Sequence, residues 1–409
     1  MSETVMPARR ARRREPGEGS GRAVAGVVVT MISVSAPPFL VGTVAIQVAA
    51  TMAFSAAQLG TAVAGYYLVS AVVSPMGGRL AGRLGPTLAM RVACFGATLG
   101  LIGIALAPSA GAIVVALSLL GLPNALVQPA ANQVLSDTVP VHRQGVAFGL
   151  VQSAIPSATL LSGSLLAIFG AENQWRAAVW SVVVLTLVAQ LAIRRPRTGP
   201  QEAAAGRQVS ARPLPAPLGG APLMTALVLG AVLASMAATT LPSFVASTGA
   251  ARGMGPGEVA TVQVLGSLTC IGLRVLAAWR GSLFGEWRVL GVVAAMLLVG
   301  AAGFGLLAVP SATVFCVGVI VAYAFGWGWN GLFNLSVSRA RVGRVSAATG
   351  LTQGGVFLGG VLGPLVFAWA LDARGVGTAW LIVAVAAFAA SVSIVLAASR
   401  WAGADEVKE

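Results

Sequence analysis

The sequence predicts an all-α integral membrane protein with twelve transmembrane helices in two six-helix bundles. Of its 409 residues, 57% are apolar and only 9% are charged, and the mean hydropathy is +0.86. A soluble protein averages about 45–50% apolar and about 25% charged residues. A bilayer core about 30 Å thick needs roughly 20 apolar residues per helix, so this chain can hold about a dozen spans. Little of the chain remains for a soluble domain.

Apolar runs bounded by Gly, Pro or charged residues supply these helices. Each run is close to the length that a bilayer requires. The first six cover residues 23–50, 57–77, 88–107, 111–135, 144–170 and 175–193. A polar, Pro-rich segment then interrupts the pattern. The last six cover residues 223–247, 257–279, 288–308, 312–336, 345–371 and 377–399.

The pattern divides the chain into five predicted regions. They are a basic, disordered cytoplasmic tail (1–22), an N-terminal bundle (23–193), a cytoplasmic linker (194–222), a C-terminal bundle (223–399) and a second cytoplasmic tail (400–409). The first tail leads into an apolar run without a small-residue cleavage site, so we expect a retained first span and not a cleaved signal peptide.

The basic residues predict the orientation. Of the 26 Lys and Arg residues, all except Arg176, Arg252 and Arg374 fall on one side of the predicted spans. Cytoplasmic loops carry an excess of positive charge, so this side and both termini are predicted to be cytoplasmic. The net charge of +14 is then a consequence of topology, and we expect no nucleic-acid partner. The Arg-, Ala- and Gly-rich composition is typical of a high-GC bacterium, which indicates a bacterial cytoplasmic membrane.

The two halves repeat each other at a fixed spacing. The loop Gly78-Arg-Leu-Ala-Gly-Arg-Leu-Gly85 has a counterpart in Ala278-Trp-Arg-Gly-Ser-Leu-Phe-Gly285, 200 residues later. Gly149-Leu-Val-Gln152 in the fifth run has a counterpart in Gly350-Leu-Thr-Gln353 in the eleventh, 201 residues later. Two unrelated places share one spacing, which indicates halves related in the same orientation after six spans.

The first copy of this loop resembles the G-x-L-a-D-R-x-G signature between the second and third helices of the major facilitator superfamily. The likeness covers nearly the whole chain, including the long central loop and Gly363-Pro364 in the eleventh run. It implies the MFS fold and a carrier that moves a small solute by alternating access. Gly82 replaces the Asp of the signature, and Ser282 stands there in the second copy.

The resemblance also implies a cytoplasmic gate, since the signature closes that side of the family's carriers through charge and backbone contacts. Gly78, Arg79, Arg83 and Gly85 match its positions, and Asp137 at the end of the fourth run is the expected acidic partner. The alternative is that these charged residues only contact the interface and lipid head groups. An exposed ion pair contributes only about 0–1 kcal/mol.

Polar residues inside the apolar runs predict the solute cavity, because contact between such residues and lipid is costly. Two sets recur at helical spacing and so share a helix face. They are Asn124, Gln128 and Asn132 in the fourth run, and Tyr323, Trp327, Asn330 and Asn334 in the tenth. The resemblance implies that the first, fourth, seventh and tenth helices line the cavity. The alternative role is hydrogen bonding between helices, worth about 0.6 kcal/mol per bond.

Three glutamines and one arginine complete the predicted site. Gln47 lies in the first run, and Gln152 and Gln353 are repeat partners that pseudo-symmetry can aim at the same cavity. Arg274 is the one basic residue clearly inside a run. It either binds an anionic group in bidentate fashion, or it reaches the interface or a neighbouring loop.

The acidic residues favour a neutral or anionic solute. Asp137, Glu172, Glu258, Glu286 and Asp372 all lie near the ends of runs. No carboxylate is deep in the membrane to pair with a cationic solute, and we expect Glu258 to cap its helix. The sequence leaves open whether protons are the coupling ion.

Motifs for catalysis are missing from the sequence, which contains no P-loop, no metal-ligand spacing and no nucleophile paired with a base. We therefore expect no enzyme and no cofactor. The expected partners are a small-molecule solute and the lipid bilayer, and the expected state is a monomer. Two alternatives to a solute carrier stay open: a drug or metabolite efflux pump of the same fold, and a non-transporting membrane sensor or assembly protein.

Overall fold

The computed structural model describes residues 16–139, 147, 149–193, 220–281, 286–339 and 345–406. Residues 1–15 of the predicted first tail (1–22), residues 407–409 of the second (400–409) and residues 194–219 of the predicted linker (194–222) lie outside this range. Helices account for all the regular elements that the described residues form, and eleven of them are long and apolar enough to cross a membrane. The predicted all-α membrane fold is confirmed.

The last membrane-length helix, Gly350–Arg400, has 51 residues, which is more than twice what one crossing needs. Gly375 interrupts it with φ 82° and ψ 174°, a conformation that favours glycine. We therefore number the segments before and after Gly375 separately. The spans are α1 (Pro16–Thr43, extended after a break by Ala45–Met52), α2 (Ala56–Leu84), α3 (Pro86–Ala105), α4 (Ala110–Thr138), α5 (Gly149–Phe169), α6 (Trp175–Ala192), α7 (Gly220–Ala250), α8 (Pro256–Gly281), α9 (Glu286–Leu306), α10 (Ala312–Val337), and α11 and α12 within Val345–Glu406.

Side-chain caps mark where several spans begin. Ser55 and Gln58 form a reciprocal capping box at the start of α2, which satisfies two backbone N–H groups that the first helical turn leaves free. Ser109 caps α4 by accepting from the Ala112 N–H, and Ser311 caps α10 in the same way. The two serines are 202 residues apart, close to the spacing of the sequence repeat.

Arginine side chains join the loops at one end of the bundle. Arg176, at the start of α6, donates hydrogen bonds to the carbonyl oxygens of Ala105 (3.1 Å) and Ala107 (3.3 Å), where α3 ends. Arg252, after α7, donates to the carbonyls of Leu307 and Val309, where α9 ends. We call this end the Trp175 end, after the neighbouring tryptophan, and the opposite end the Arg79 end. Last-turn carbonyls have no partner within their own helix, so both arginines act as helix caps.

Three close crossings join the two halves toward the Trp175 end. A Cβ atom built on Gly42 of α1 would lie 2.7 Å from the Cα atom of Ser243 in α7, and these positions are 201 residues apart. Pseudo-symmetric halves bring equivalent residues together near their common axis. Small residues permit such approach of helix backbones in a membrane, where no hydrophobic force holds helices together.

The other two crossings are related to each other by the same repeat. A Cβ atom on Gly60 of α2 would lie 2.7 Å from the carbonyl oxygen of Pro364 in α11, and one on Gly163 of α5 would lie 3.4 Å from that of Ala260 in α8. Gly163 and Pro364 are 201 residues apart, and Gly60 and Ala260 are 200 apart. Crossings α1 to α7, α2 to α11 and α5 to α8 thus form one pseudo-symmetric interface.

The buried apolar residues form two clusters within the described part of the chain. The larger cluster includes the first half and continues into the second half from the Trp175 end, for example through Phe244, Phe304 and Phe367, as far as the middle of the helices at Trp327. The smaller cluster lies within the second half. It includes Leu223, Leu290 and residues in the part of α12 that is nearer to the Arg79 end. The halves therefore share one core at the Trp175 end and have separate cores at the Arg79 end.

Replacing Gly42 by Val tests the crossing of α1 and α7. The added side chain has no room, so we expect the free energy of unfolding to fall by about 1–3 kcal/mol. The matched control is Gly272→Val in α8, because nothing lies within 4 Å of a Cβ atom built there. Both changes alter helix propensity equally. Denaturant titration in detergent micelles measures the difference, and equal losses for the two variants would contradict the close crossing.

Candidate functional site

A cluster of buried polar side chains lies where the two halves meet. Gln263 of α8 donates from its side-chain amide nitrogen to the Thr43 hydroxyl of α1 (2.9 Å) and to the Thr159 carbonyl of α5 (3.1 Å). The Thr159 and Ser267 hydroxyls are 2.8 Å apart. All four side chains are buried. We call Thr43, Thr159, Gln263 and Ser267 the inter-half cluster.

Three aromatic rings adjoin this cluster on α1 and α10. The Trp327 ring packs edge-on against Phe39 and Tyr323, with centroid distances of 5.6 and 5.5 Å. Tyr323 is fully buried. Its hydroxyl group lies near Thr159 but makes no hydrogen bond of normal geometry with any described residue. The tyrosine therefore contributes a polar group that the folded chain leaves unsatisfied.

The helix α10 is irregular at these rings. Residues Ala322–Gly326 form a π-helical turn, residues 327–329 are in turns, and a helix resumes at Asn330. Wide turns of this kind occur frequently at functional sites. The interruption frees backbone carbonyl groups, including that of Trp327, from the regular helical hydrogen bonds.

Arg274 of α8 binds two such freed carbonyls. Its Nη2 atom donates to the Trp327 carbonyl (2.7 Å) and its Nη1 atom donates to the Gln152 carbonyl of α5 (2.6 Å). Pro156 occupies the position four residues after Gln152 and has no N–H to donate, so the Gln152 carbonyl lacks its helical partner. Arg274 thus bridges the first half to the second at a place where α5 and α10 each have a backbone carbonyl without its helical partner.

Arg274 is 4% exposed and is the only charged side chain classed as buried among the described residues. Its guanidinium carbon lies 5.7 Å from the centre of the Trp327 ring, and its Nε atom has no hydrogen-bond partner in the described part of the chain. Of the two roles predicted for Arg274, the placement excludes a side chain that extends into the water at the interface. It leaves the contact with another segment and the binding of an anionic group.

The amide face predicted on α4 does not join the inter-half cluster as a unit. Asn124 donates to the Ser70 hydroxyl of α2 (3.0 Å), which is a contact between helices of the same half. Gln128 is half-buried and Asn132 is exposed. The three amides share one helix face, but within the described part of the chain only Asn124 has a side-chain partner in a neighbouring helix.

The predicted residues of α10 divide in a similar way. Tyr323 and Trp327 lie beside the inter-half cluster, whereas Asn334 donates to the side chain of Asn330 one turn away (2.8 Å). Both asparagines are half-buried. The π-helical turn and the following break separate the aromatic pair from the asparagine pair, so regular helical spacing overstated how closely the four residues group.

The predicted glutamines occupy different environments. Gln47 is buried, and its Oε1 atom has no partner among the described residues. The side chains of Gln152 and Gln353 are half-buried. We call the inter-half cluster together with Arg274 and Tyr323 the polar centre. Gln152 contributes its backbone carbonyl to this centre, a role that no side-chain pattern could predict.

The predicted gate residues lie at the Arg79 end. Gly85 connects α2 to α3 with φ 77°, which explains the glycine at the last position of the signature. Gly78, Arg79, Arg83 and Asp137 are exposed, and within the described ranges no ion pair joins the two arginines to the aspartate. The second copy of the signature lies partly outside the described residues, as do His142 and Arg143.

The carboxylates lie away from the polar centre. Asp137, Glu172, Glu258 and Asp372 are all exposed, and the Glu258 carboxylate accepts from the Gly255 N–H (2.9 Å) at the start of α8. This is the helix-capping contact expected from the sequence. The polar centre formed by the described residues therefore holds one positive charge and no buried carboxylate.

Thr159, Gln263 and Ser267 are the site residues that the sequence did not single out. The signal for two of them exists, because Gln263, Ser267 and Arg274 recur at intervals of four and seven residues and share one face of α8. Thr159 gives no such signal. Its role depends on the contact between α5 and α8, which requires the fold.

Membrane-length helices arranged in two halves around a buried polar centre define a polytopic membrane protein of the carrier type. The family model of the Major Facilitator Superfamily matches residues 20–364. The chain belongs to this superfamily, whose members are membrane transporters, and the MFS fold predicted from the sequence is confirmed. No curated protein matches the chain in a sequence comparison.

A double-mutant cycle tests the hydrogen bond between the halves. We expect Thr43→Val and Gln263→Leu to show a coupling of about 0.6–1.7 kcal/mol in the free energy of unfolding, the range measured for bonds between membrane helices. The control cycle pairs Thr43→Val with Gln353→Leu, whose effects should add within about 0.3–0.5 kcal/mol. Additive effects in the first cycle would mean that Thr43 and Gln263 do not interact.

Proposed function

We propose that the protein is a secondary active or facilitative transporter that moves a small neutral or anionic organic solute across the cytoplasmic membrane by alternating access. The observation that carries the proposal is a buried polar centre between two halves that share an apolar core at one end only. Two halves joined in this way can rock about the centre and expose it first to one side and then to the other.

The charge pattern supports an orientation for this state. The Arg79 end carries Arg79, Arg83 and Arg91 together with the described start of α1 and end of α12, so the positive-inside rule assigns it to the cytoplasm. The close crossings then lie toward the outer surface. In this orientation the shared apolar core lies toward the outer surface, while toward the cytoplasm the halves keep separate apolar cores and are joined by polar contacts such as that of Arg274 with the Gln152 carbonyl.

The solute contacts are proposed to come from both predicted faces and from the inter-half cluster. The rings of Phe39 and Trp327 supply apolar groups, Tyr323 and Gln47 supply polar atoms without partners among the described residues, and Gln128 and Asn132 lie on a less buried face of α4. The described residues provide no buried carboxylate as a counter-charge for a cation, which favours a neutral or anionic solute.

Flux measurements in reconstituted vesicles test the proposal. We expect saturable, solute-dependent uptake or release for at least one member of a panel of sugars, amino acids and organic acids, compared with protein-free vesicles. Running each assay with and without a proton gradient separates proton-coupled from facilitative transport. Absence of flux for the whole panel would favour a sensor or assembly protein, and the direction of driven flux separates uptake from efflux.

Alanine variants then test the cavity. We expect Gln128→Ala, Trp327→Ala and Asn330→Ala to weaken solute binding while the protein still inserts and folds. Asn124→Ala is expected to do so with an added loss of stability, because it also removes the bond to Ser70. If all four variants transport like the parent protein, the proposed cavity is wrong.

A further inference from the structure

The positive charge of Arg274 has no negative partner in the described part of the chain. A guanidinium group stays protonated even when it is buried, and a charge removed from water is costly unless it is paired. Arg274 is 4% exposed, and the carboxylates of Asp137, Glu172, Glu258 and Asp372 are all exposed. Two neutral backbone carbonyls are its hydrogen-bond partners.

The hydrogen-bonding capacity of Arg274 is also only partly used. A guanidinium has five N–H donors, and the Nε atom of Arg274 makes no hydrogen bond with any described residue. The Tyr323 hydroxyl, which flanks the same Trp327 ring and lies near Thr159, is likewise buried and makes no hydrogen bond of normal geometry with a described residue. Groups of this kind are rare inside folded proteins unless a ligand or water satisfies them. A carboxylate matches the planar fork of a guanidinium and accepts from it in bidentate fashion.

The surroundings of the charge are aromatic. The guanidinium carbon lies 5.7 Å from the Trp327 ring centre, and Trp327 packs against Phe39 and Tyr323. These rings are buried and pack edge-on against one another, so the surroundings of the charge are apolar and aromatic. A solute that satisfies both features has a carboxylate at one end and a ring-sized apolar body at the other.

We propose that Arg274 is the anion-recognition residue of this transporter and that its solute is an organic carboxylate with an apolar, aromatic-sized body. The inference rests on the proposed transport function and names its substrate class. The carboxylate accepts from the free Nε–H of Arg274 and from Nη2, which lies on the same edge of the guanidinium group, while Nη1 keeps its bond to the Gln152 carbonyl.

Equilibrium binding to the purified protein in detergent tests this assignment without a flux measurement. The probes are phenylacetate and indole-3-acetate, each compared with its neutral amide. We expect the carboxylates to raise the thermal unfolding temperature and to change tryptophan fluorescence saturably, whereas the matched amides do so only at concentrations at least ~10-fold higher, since a hydrogen bond to a charged group is worth about a factor of ten or more.

Substitutions at Arg274 test whether this residue causes the preference for carboxylates over amides. We expect Arg274→Gln to lose at least ~10-fold in carboxylate affinity and to bind acid and amide alike. Arg274→Lys keeps the charge without the fork and should fall between the two. The control is Arg91→Gln, since Arg91 also donates to a backbone carbonyl, that of Ile193 (2.9 Å), but is exposed and lies within the first half.

Several results would overturn the assignment. They are equal binding of acid and amide by the parent protein, no binding of either carboxylate, and a carboxylate preference that survives in Arg274→Gln. The first two results are measured on the parent protein, so the proposal can be tested even if the Arg274 variants do not fold. If vesicles transport neutral solutes and no carboxylate binds, this inference fails and the transport proposal stands. If carboxylates bind through Arg274 but nothing is transported, the transport proposal fails and this inference stands.

Discussion

Close backbone contact joins the two halves of this protein toward the Trp175 end. Helices in a bilayer gain nothing by hiding apolar surface from lipid, so the halves are held together by close packing and hydrogen bonds. Gly42 against Ser243, and its two pseudo-symmetric companions at Gly60 and Gly163, supply the packing. Because all three crossings lie toward the Trp175 end, the halves keep separate cores at the Arg79 end.

The absence of water from the bilayer core explains why the polar centre has this form. A polar group at this depth needs a protein partner, and Thr43, Thr159, Gln263 and Ser267 supply one another across the interface. Two local defects then add backbone oxygen: Pro156 in α5 and the break after the π-helical turn of α10. Arg274 is placed where these defects meet.

Hydropathy and charge predict the fold well, because the bilayer imposes the length of each span and the side on which arginines fall. Two of the three exceptions have a structural reason. Arg176 and Arg252 lie at the opposite end because they cap the ends of α3 and α9. The spacing of the sequence repeat is also seen in the structure, because residues that it pairs, such as Gly42 and Ser243, are in contact where the halves meet.

The candidate site is less predictable from sequence. Helical spacing identifies which residues share a face, but it does not say what the face contacts, so Asn124 bonds to α2 of its own half. Spacing also assumes a regular helix, and the π-helical turn separates Tyr323 and Trp327 from Asn330 and Asn334. The contributions of Thr159 and of the Gln152 carbonyl arise from the packing of α5 on α8, about 100 residues away in sequence. Only a three-dimensional arrangement reveals them.

A reversible cross-link between α5 and α8 tests most directly whether the halves must separate at the Trp175 end. A Cβ atom on Gly163 would lie 3.2 Å from Cγ2 of Val264, so cysteines at both positions, with the native cysteines replaced by Ala, should form a disulfide. Cleavage at a protease site inserted in the linker verifies that the link is complete. We expect oxidation to stop transport in vesicles and reduction to restore it, while either single cysteine variant is insensitive to oxidation. Transport at the parent rate with the cross-link complete would contradict alternating access through this interface.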